Sequence, residues 1–428
     1  MTPLIEPLPG VTALVVPAVR RFAGKRLAMV TFSPYPFDPR PRRAVDALVK
    51  EGASIDLICL ASDNLPRRQD VNGVNVLRVP LKHLRRGKLD YAFRYTAFIC
   101  VSAVIFAVRT LARRYDLVYV HNMPDVLVAS ALIPKLFGAK VILDLHDPMP
   151  ELMTTIFHTE PEARSVRLLR RLEKWSIGRA DLVITVNIAC KRIFSQRSCR
   201  SEKIAVVMNS PDGAIFPFRA VGHQNVPSQD GSRPFVIMYH GSLVDRNGLE
   251  VAIDALERVR KTVPNAVLHI FGTSTQFLER MLRKVRDNHL EDRVQYFGPK
   301  RLEDLVTEIE KCDIGVIPNH RNAFTDINTP TRIFEYLALG KPVIAPSTPG
   351  IQDYFNEESL LFFEPGNADH LARQIEFASS HPEEMLEIAR RGQQVYREHS
   401  WDQERETLLS RASGILPGSG GSAGASGS

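Results

Sequence analysis

Short apolar runs alternate with longer segments of helical period along most of the chain. In the first half the runs fall at 26–32, 54–60, 74–79, 116–121, 140–145, 181–186 and 204–208. In the second half they fall at 235–239, 267–271, 293–297, 314–318, 342–345 and 360–363. Most carry Val, Ile and Leu with little polar alternation, which is the pattern of parallel strands covered on both faces. The helical segments between them imply βαβ units with right-handed crossovers. The pattern therefore predicts an α/β protein built of two doubly wound, Rossmann-like domains.

The stretch 210–234 breaks the alternation. It holds four prolines, three glycines and few aliphatics, and reads as a linker. The expected division is a first domain over 1–210, a linker over 211–233 and a second domain over 234–395. A last helix, 396–415, is expected to cross back to the first domain. Residues 416–428, mostly Gly, Ser and Ala, read as a flexible tail. Two such domains face each other across a cleft at the carboxyl ends of their strands, where ligands bind in this architecture.

Composition narrows the class. Of 428 residues, 44% are apolar and 24% charged, which excludes a disordered, collagenous or coiled-coil chain. The cysteines (Cys59, Cys100, Cys190, Cys199 and Cys312) form no CxxC pair, which argues for a reducing compartment rather than disulfides or a structural zinc. The first ten residues hold Glu6, three prolines and no Lys or Arg, and Pro17 breaks the apolar stretch 11–19, so no secretion signal is expected. The uncharged run 95–108 is shorter than the roughly 20 residues that a bilayer span needs, and it reads as a buried helix. These features predict a cytoplasmic protein.

The net charge of +7 divides unevenly, +14 over 1–210 and −7 over 211–428. The first half is therefore expected to meet something anionic. Its cations cluster at Arg40, Arg42 and Arg43, at Lys82, Arg85, Arg86 and Lys88, and at Arg164, Arg167, Arg171 and Lys174. The last group shares one side of a helix whose apolar positions are Leu168, Leu172 and Trp175. Such a helix can lie on the inner, anionic face of the cytoplasmic membrane, making the protein peripheral there. A core position for Trp175 is the plainer alternative. Nucleic acid is not expected, since no basic motif is interleaved with aromatics.

Two strand–loop–helix junctions of the second half carry the clearest chemistry. In 329–342, Thr329 reads as an N-cap, Pro330 as the first helical residue, and Gly340 with Pro342 as the stop. Arg332 falls in the first turn, where the helix end is already electropositive. A bound phosphate would resolve that conflict. Glu335 lies one turn deeper on the same side, placed to accept from a pair of sugar hydroxyls. A plain Arg332–Glu335 surface pair is the competing reading. In the stretch 240–248, Gly241 allows close backbone approach and Arg246 again brings a cation to a helix start. Two such starts make a diphosphate clamp. Neither GxGxxG nor a P-loop is present.

In the first half, His146, Asp147 and Glu151 follow the run 140–145. They suit acid–base work or hydrogen bonding to a hydroxylated substrate better than a metal, because no metal-ligand spacing is matched. Turn chemistry at Asp147-Pro148 is the alternative. His121 ends the preceding strand, and the loop 33–43 brings Arg40 and Arg42 to the same end of the sheet.

The stretches FDPRPRRAVDALVKEG, VYVHNMPDVLVASAL, GAKVILDLHDPMPEL, VVMNSPDGAIF, YHGSLVDRNGLEVAIDAL, HIFG, YFGPKRLEDLVTEIEKCDIGVIPN and TPTRIFEYLALGKPVIA follow one another over about 26–401. Together they resemble retaining glycosyltransferases of family 4, of GT-B fold, and within them the bacterial polysaccharide branch. The resemblance implies transfer of a sugar from a nucleotide diphosphate sugar, with UDP or GDP as the nucleotide, to a glycan or lipid-linked glycan. It implies no cofactor and no metal. By position, Glu335 matches the second Glu of the family's EX7E motif, which holds the ribose. Thr331 and Arg332 match the helix start on the diphosphate, and Gly241, Ser242 and Arg246 the opposing loop. Gly272 matches the loop below the nucleotide, Gly298 and Pro299 the backbone at the base, and His146 a histidine near the transferred sugar. The chain departs from the family at Ile327, where the first Glu would stand beside Asp326, at Asn247 in place of a Lys, and in a first loop without paired glycines. A nucleotide-sugar epimerase of the same fold and a non-catalytic donor-binding subunit are the two other readings.

Overall fold

The computed structural model describes residues 20–62, 65–81, 88–222 and 233–417. Eight strands make the first sheet: β1 (Arg26–Pro34), β2 (Ser54–Leu60), β3 (Arg68–Val71), β4 (Val74–Val79), β5 (Leu117–His121), β6 (Lys140–Leu145), β7 (Leu182–Thr185) and β8 (Ile204–Val206). Their order is β3-β4-β2-β1-β5-β6-β7-β8, parallel except for the β3–β4 pair. Six more make the second: β9 (Phe235–His240), β10 (Ala266–Phe271), β11 (Val294–Tyr296), β12 (Ile314–Val316), β13 (Val343–Pro346) and β14 (Leu361–Phe363), in the parallel order β11-β10-β9-β12-β13-β14. The apolar runs explain the layering. Both faces of the central strands are sealed, and β5 is buried from Leu117 to His121.

Separate apolar clusters cover the two faces of each sheet. The helix Trp401–Gly414 belongs to the first half by packing. Its Leu408, Leu409 and Ala412 join the cluster of Leu27, Met29 and Tyr119 on the first sheet. Arg43 stands 5.0 Å over the Trp401 ring.

The structure departs from the sequence reading in three places. The edge strand β3 was not expected, because RQDV has no apolar run. The adjoining Asn72-Gly73, with φ of 53° and 82°, forms the two-residue turn that pairs it with β4. The helix Thr331–Ala338 takes Pro330, not Thr329, as its N-cap residue, and the Thr329 hydroxyl donates instead to Gly350 O at 2.7 Å. The run 95–108 is not a buried helix. It lies within Lys88–Ala112, which buries Phe98, Ser102, Phe106 and Thr110 and leaves its other side open. Leu168 and Trp175 sit at the surface, which rules out the core alternative for Trp175. The 11–19 stretch, Lys82, Arg85, Arg86, linker residues 223–232 and tail residues 418–428 lie outside the described residues, as does the side chain of Lys88.

The halves touch along one edge of the cleft. Asn187 Nδ2 donates to Ile327 O at 2.8 Å, Ile188 N to the Tyr354 hydroxyl at 2.8 Å, and Thr155 to Asn322 Oδ1 at 3.0 Å. Arg192 pairs with Asp353 at 2.7 Å. Beside these contacts opens a space of about 500 Å³, lined by Thr154–Ile156 and His158 from the first half and by Arg246, Glu250 and His320 from the second.

Candidate functional site

Four loops at the carboxyl end of the second sheet meet within van der Waals range, and glycines let them do so. Gly272, after β10, passes so close to the loop after β9 that a Cβ there would stand 2.2 Å from Gly241 O. Gly248, with φ 64°, lies under the loop after β12, where a Cβ would meet Pro318 O at 2.0 Å. Gly241 itself, with φ 124°, would place a Cβ 3.3 Å from the Arg332 side chain. The convergence fixes the helix starts relative to one another.

Arg332 reaches back over this junction. Its Nη1 donates to His240 O at 2.8 Å, its Nη2 lies 3.4 Å from Asn319 Oδ1, and its guanidinium stands 4.8 Å over the Tyr239 ring. No carboxylate comes within 4.0 Å of it among the described residues, so the Arg332–Glu335 surface pair does not form. Glu335 is instead held through Oε2 at 2.6 Å from His240 Nε2. His240 Nδ1 lies 2.8 Å from the Tyr336 hydroxyl, which donates to Met238 O. Glu335 Oε1 keeps no hydrogen-bond partner among the described residues and is the free end of a fixed carboxylate.

Arg246 sits half-buried on the 3-10 turn Asp245–Asn247 and borders the interdomain space, again with no carboxylate within 4.0 Å among the described residues. Asn247 ties the same loop down by donating to Ser242 O at 2.7 Å. Thr331 is half-buried beside Arg332. Gly298 has φ 75° and receives Gly272 N–H at 3.1 Å, with Pro299 next in the chain. The predicted residues of this half thus stand on neighbouring loops.

Asp326 and Ile327 do other work. The Asp326 carboxylate lies 3.1 Å from Arg321 Nε, and Ile327 packs against the apolar cluster of the first domain. The position that holds the family's first Glu therefore serves the contact between the halves.

On the facing side, His146 is buried among His121, Asp144 and Tyr119. Its Nε2 lies 3.1 Å from His121 Nδ1, and the two rings stack with centroids 5.3 Å apart. Asp144 Oδ2 is 3.4 Å from His121 Nδ1 and accepts from the Tyr119 hydroxyl at 2.8 Å. Burial pushes the His146 imidazole well below its ordinary range, and Asp144 only partly opposes this. Burial works against the Asp144 charge, but His146 and His121 outweigh it and hold the carboxyl low. The net result is a neutral His146 and an ionised Asp144. His146 Nδ1 is buried and has no hydrogen-bond partner among the described residues. His121, Asp144 and His146 could bring one ligand atom each within 4.8 Å of one another, yet those atoms already bond among themselves.

Three expectations need correction here. His121 is fully buried and backs His146, so it does not line the cleft. Glu151 does not face a substrate. Arg197 grips it at 2.6 and 3.0 Å and also grips the buried Glu173. Arg40 pairs with Asp38 at 3.2 Å and lies 3.8 Å from Asp147, so it is a bound cation rather than an open one. Arg42 remains half-exposed. Burial raises the Asp147 carboxyl, with Arg40 and then Arg246 acting against it. Arg246 therefore acts across the cleft on a first-domain group.

His240 and Asn319 were not anticipated. Asn122 accepts from His146 N at 2.9 Å and donates to Asp125 at 3.0 Å, and it so orders the loop that carries His146. Asp125 is buried, and burial raises its carboxyl to about 7, against the Asn122 hydrogen bond. A folded-state value above the unfolded one contributes stability that is full below about pH 4 and is lost as pH rises through about 7. Asp125→Asn is therefore expected to gain on the parent by roughly 3 kcal/mol between pH 5 and pH 8. Melting curves at both pH values check this, and an unchanged gap would refute the assignment.

Known proteins bear on both halves. Residues 38–210 match the sequence model described as Glycosyl transferase 4-like domain, and residues 224–395 match that of Glycosyl transferases group 1. A probable glycosyltransferase of Pseudomonas aeruginosa, WbjE, is 23% identical over 259 residues, which are 58% of this chain and 62% of WbjE. A glycogen synthase of Mycobacterium tuberculosis is 25% identical over 186 residues, 43% of this chain and 42% of that protein. The chain spans less than two thirds of either relative. Among solved structures, the sucrose-phosphate synthase of Thermosynechococcus elongatus superposes with a TM-score of 0.72 at 17% identity, over 91% of this chain and 99% of the other. HepE of Anabaena, solved with UDP-glucose, gives 0.66 at 17% identity over 91% and 100%.

Proposed function

We propose, from the premise that this chain is a glycosyltransferase of GT-B fold, that it moves a sugar from a nucleotide diphosphate sugar to a hydroxyl of a glycan or lipid-linked glycan, with retention at the anomeric carbon. The observation that carries the reading is the pair of guanidinium groups, Arg246 on the turn Asp245–Asn247 and Arg332 in the first turn of Thr331–Ala338, without carboxylate partners among the described residues. Cations left unneutralised at the edge of a cleft await an anion. A departing diphosphate fits them. Glu335 Oε1, held one helical turn deeper, then meets the ribose hydroxyls, and HepE solved with UDP-glucose is consistent with such a donor.

The acceptor oxygen attacks the anomeric carbon from the face that the diphosphate leaves. As the new C–O bond forms, the old C–O bond breaks, and its electron pair stays on the phosphate oxygen. Arg246, Arg332 and the start of Thr331–Ala338 take up the charge, and this work needs no metal. The acceptor proton passes to that phosphate oxygen. His146, neutral and buried at the strand end facing the second half, is the residue the resemblance sets beside the transferred sugar. UDP and GDP are the expected nucleotides.

Thermal shift against UDP-, GDP-, dTDP- and ADP-sugars tests donor binding, since a ligand bound only by the folded state raises Tm. Turnover with lipid-linked acceptors, followed by NMR of the product anomer, tests the rest. An isomer formed from donor alone would establish an epimerase instead. Binding without turnover across the acceptor panel would leave a donor-binding subunit, and an inverted anomer would refute retention.

A further inference from the structure

The helix Lys88–Ala112 has two unlike sides. At about 100° per residue, Phe98, Ser102, Phe106 and Thr110 share one side, and all four are buried on the first sheet. Phe93, Val101, Val104, Val108 and Leu111 fall on the opposite side and are exposed, with Val104 at 62%, Val108 at 61% and Leu111 at 69%. By length and composition Ala92–Ala112 could cross a bilayer. The packed side argues otherwise, because lipid all round the helix would strip Phe98 and Phe106 from the domain core. What the fold leaves is a long apolar stripe open to its surroundings, which monomeric soluble proteins seldom expose.

The stripe continues onto neighbouring elements. The helix Leu132–Leu136 packs beside it and exposes Leu136 and Phe137. The helix Arg164–Arg179 covers the same face of the sheet and exposes Leu168 and Trp175. Next to it, Met149–Phe157 carries Ile156 at the mouth of the interdomain space.

Cations surround these apolar groups. Arg113, Arg114, Arg164, Arg167, Arg171 and Lys174 are exposed, and none has a carboxylate within 4.0 Å among the described residues. Arg114 lies 5.8 Å over the Phe137 ring and Arg179 lies 5.3 Å over that of Trp175. Apolar groups with free cations beside them suit acyl chains beneath anionic headgroups. A second copy of this chain, bringing the same cations, would meet like charge.

We propose that this face, from Lys88–Ala112 to Arg164–Arg179, docks on the surface of an anionic bilayer, with the Val104–Val108 stripe entering the acyl boundary and the cations meeting the headgroups. The docked pose sets the mouth of the cleft beside the lipid, where a lipid-linked acceptor enters without leaving the membrane. Only that last step rests on the transferase reading, because docking itself involves no substrate.

Co-sedimentation with phosphatidylcholine vesicles, with and without phosphatidylglycerol, tests the proposal. The parent should bind the anionic vesicles, and binding should weaken as salt is raised. Val104→Glu with Val108→Glu, and separately Arg164, Arg167 and Arg171→Gln, should each weaken it about tenfold or more. Equal Tm values and equal responses to the donor nucleotide in all three proteins show that the fold is kept. Vesicle binding unchanged by both variants would overturn the proposal. So would a lipid-free dimer that Val104→Glu with Val108→Glu dissociates, since the stripe would then belong to a second copy.

Discussion

Arg332→Ala should lower kcat/KM for the donor by about a thousandfold, the scale expected when a preorganised group facing a developing negative charge is removed. The case rests on how the side chain is held. Its Nη1 is bonded to His240 O and its guanidinium lies over Tyr239, so it is aimed before any substrate arrives. Because no carboxylate within 4.0 Å neutralises it among the described residues, its charge is available to the leaving diphosphate. Arg332→Lys keeps the charge but loses the fork that reaches both His240 O and an incoming oxygen, and should recover only part of the rate. Arg246→Ala, on a loop tied by Asn247 rather than by Arg246 itself, should raise KM and lower kcat with little change in Tm. Steady-state kinetics with the donor found by thermal shift decide the matter. Unchanged constants in both alanine variants would remove the diphosphate clamp and the mechanism built on it.

The two halves of the site were not equally legible in the sequence. Arg332, Glu335, Arg246 and the glycines around them carry local signals, a cation at a helix start and a backbone that must come close. The structure adds what spacing does not encode. His240 is 95 residues from Glu335 and holds its carboxylate, and a Cβ on Gly272 would strike Gly241 O across two strands. The second follows from β9 and β10 lying side by side, and the first from β9 lying beside β12, which leads into the helix Thr331–Ala338. In the first half, His121 and Glu151 were drawn toward the cleft by their place after strands, yet a strand end can turn a polar group inward when a buried partner waits. For His121 that partner is His146, and for Glu151 it is Arg197. The exposed side of Lys88–Ala112 was misread for a related reason. An apolar run states what avoids water, not whether protein or something else covers it.

Arg197→Met should destabilise the fold by about 3–5 kcal/mol, because it strands two carboxylates of which one is wholly enclosed. Arg197 lies 2.9 and 2.5 Å from Glu173 and also holds Glu151 by two bonds, while Ser198 donates to Glu173 at 2.7 Å. Burial opposes the Arg197 charge, but the hydrogen bonds it donates to Glu151 and Glu173 prevail and raise its pKa. Asp125 feels the same network, since Glu173 raises its carboxyl and Arg197 lowers it. Removing the arginine should thus push Asp125 further toward its neutral form and extend the loss of stability with rising pH to higher pH. A fall in Tm of roughly 10 °C is expected for a domain of this size, with kcat near that of the parent at temperatures where the variant stays folded. Glu151→Gln keeps the shape and removes one charge, so it should cost about 1–2 kcal/mol and leave kcat within about twofold. Calorimetry and kinetics on the same preparations separate the two roles open to Glu151. A hundredfold drop in kcat at unchanged Tm would return it to the substrate, whereas a stability cost alone confirms that its work is to hold Arg197 beneath the loop that carries His146.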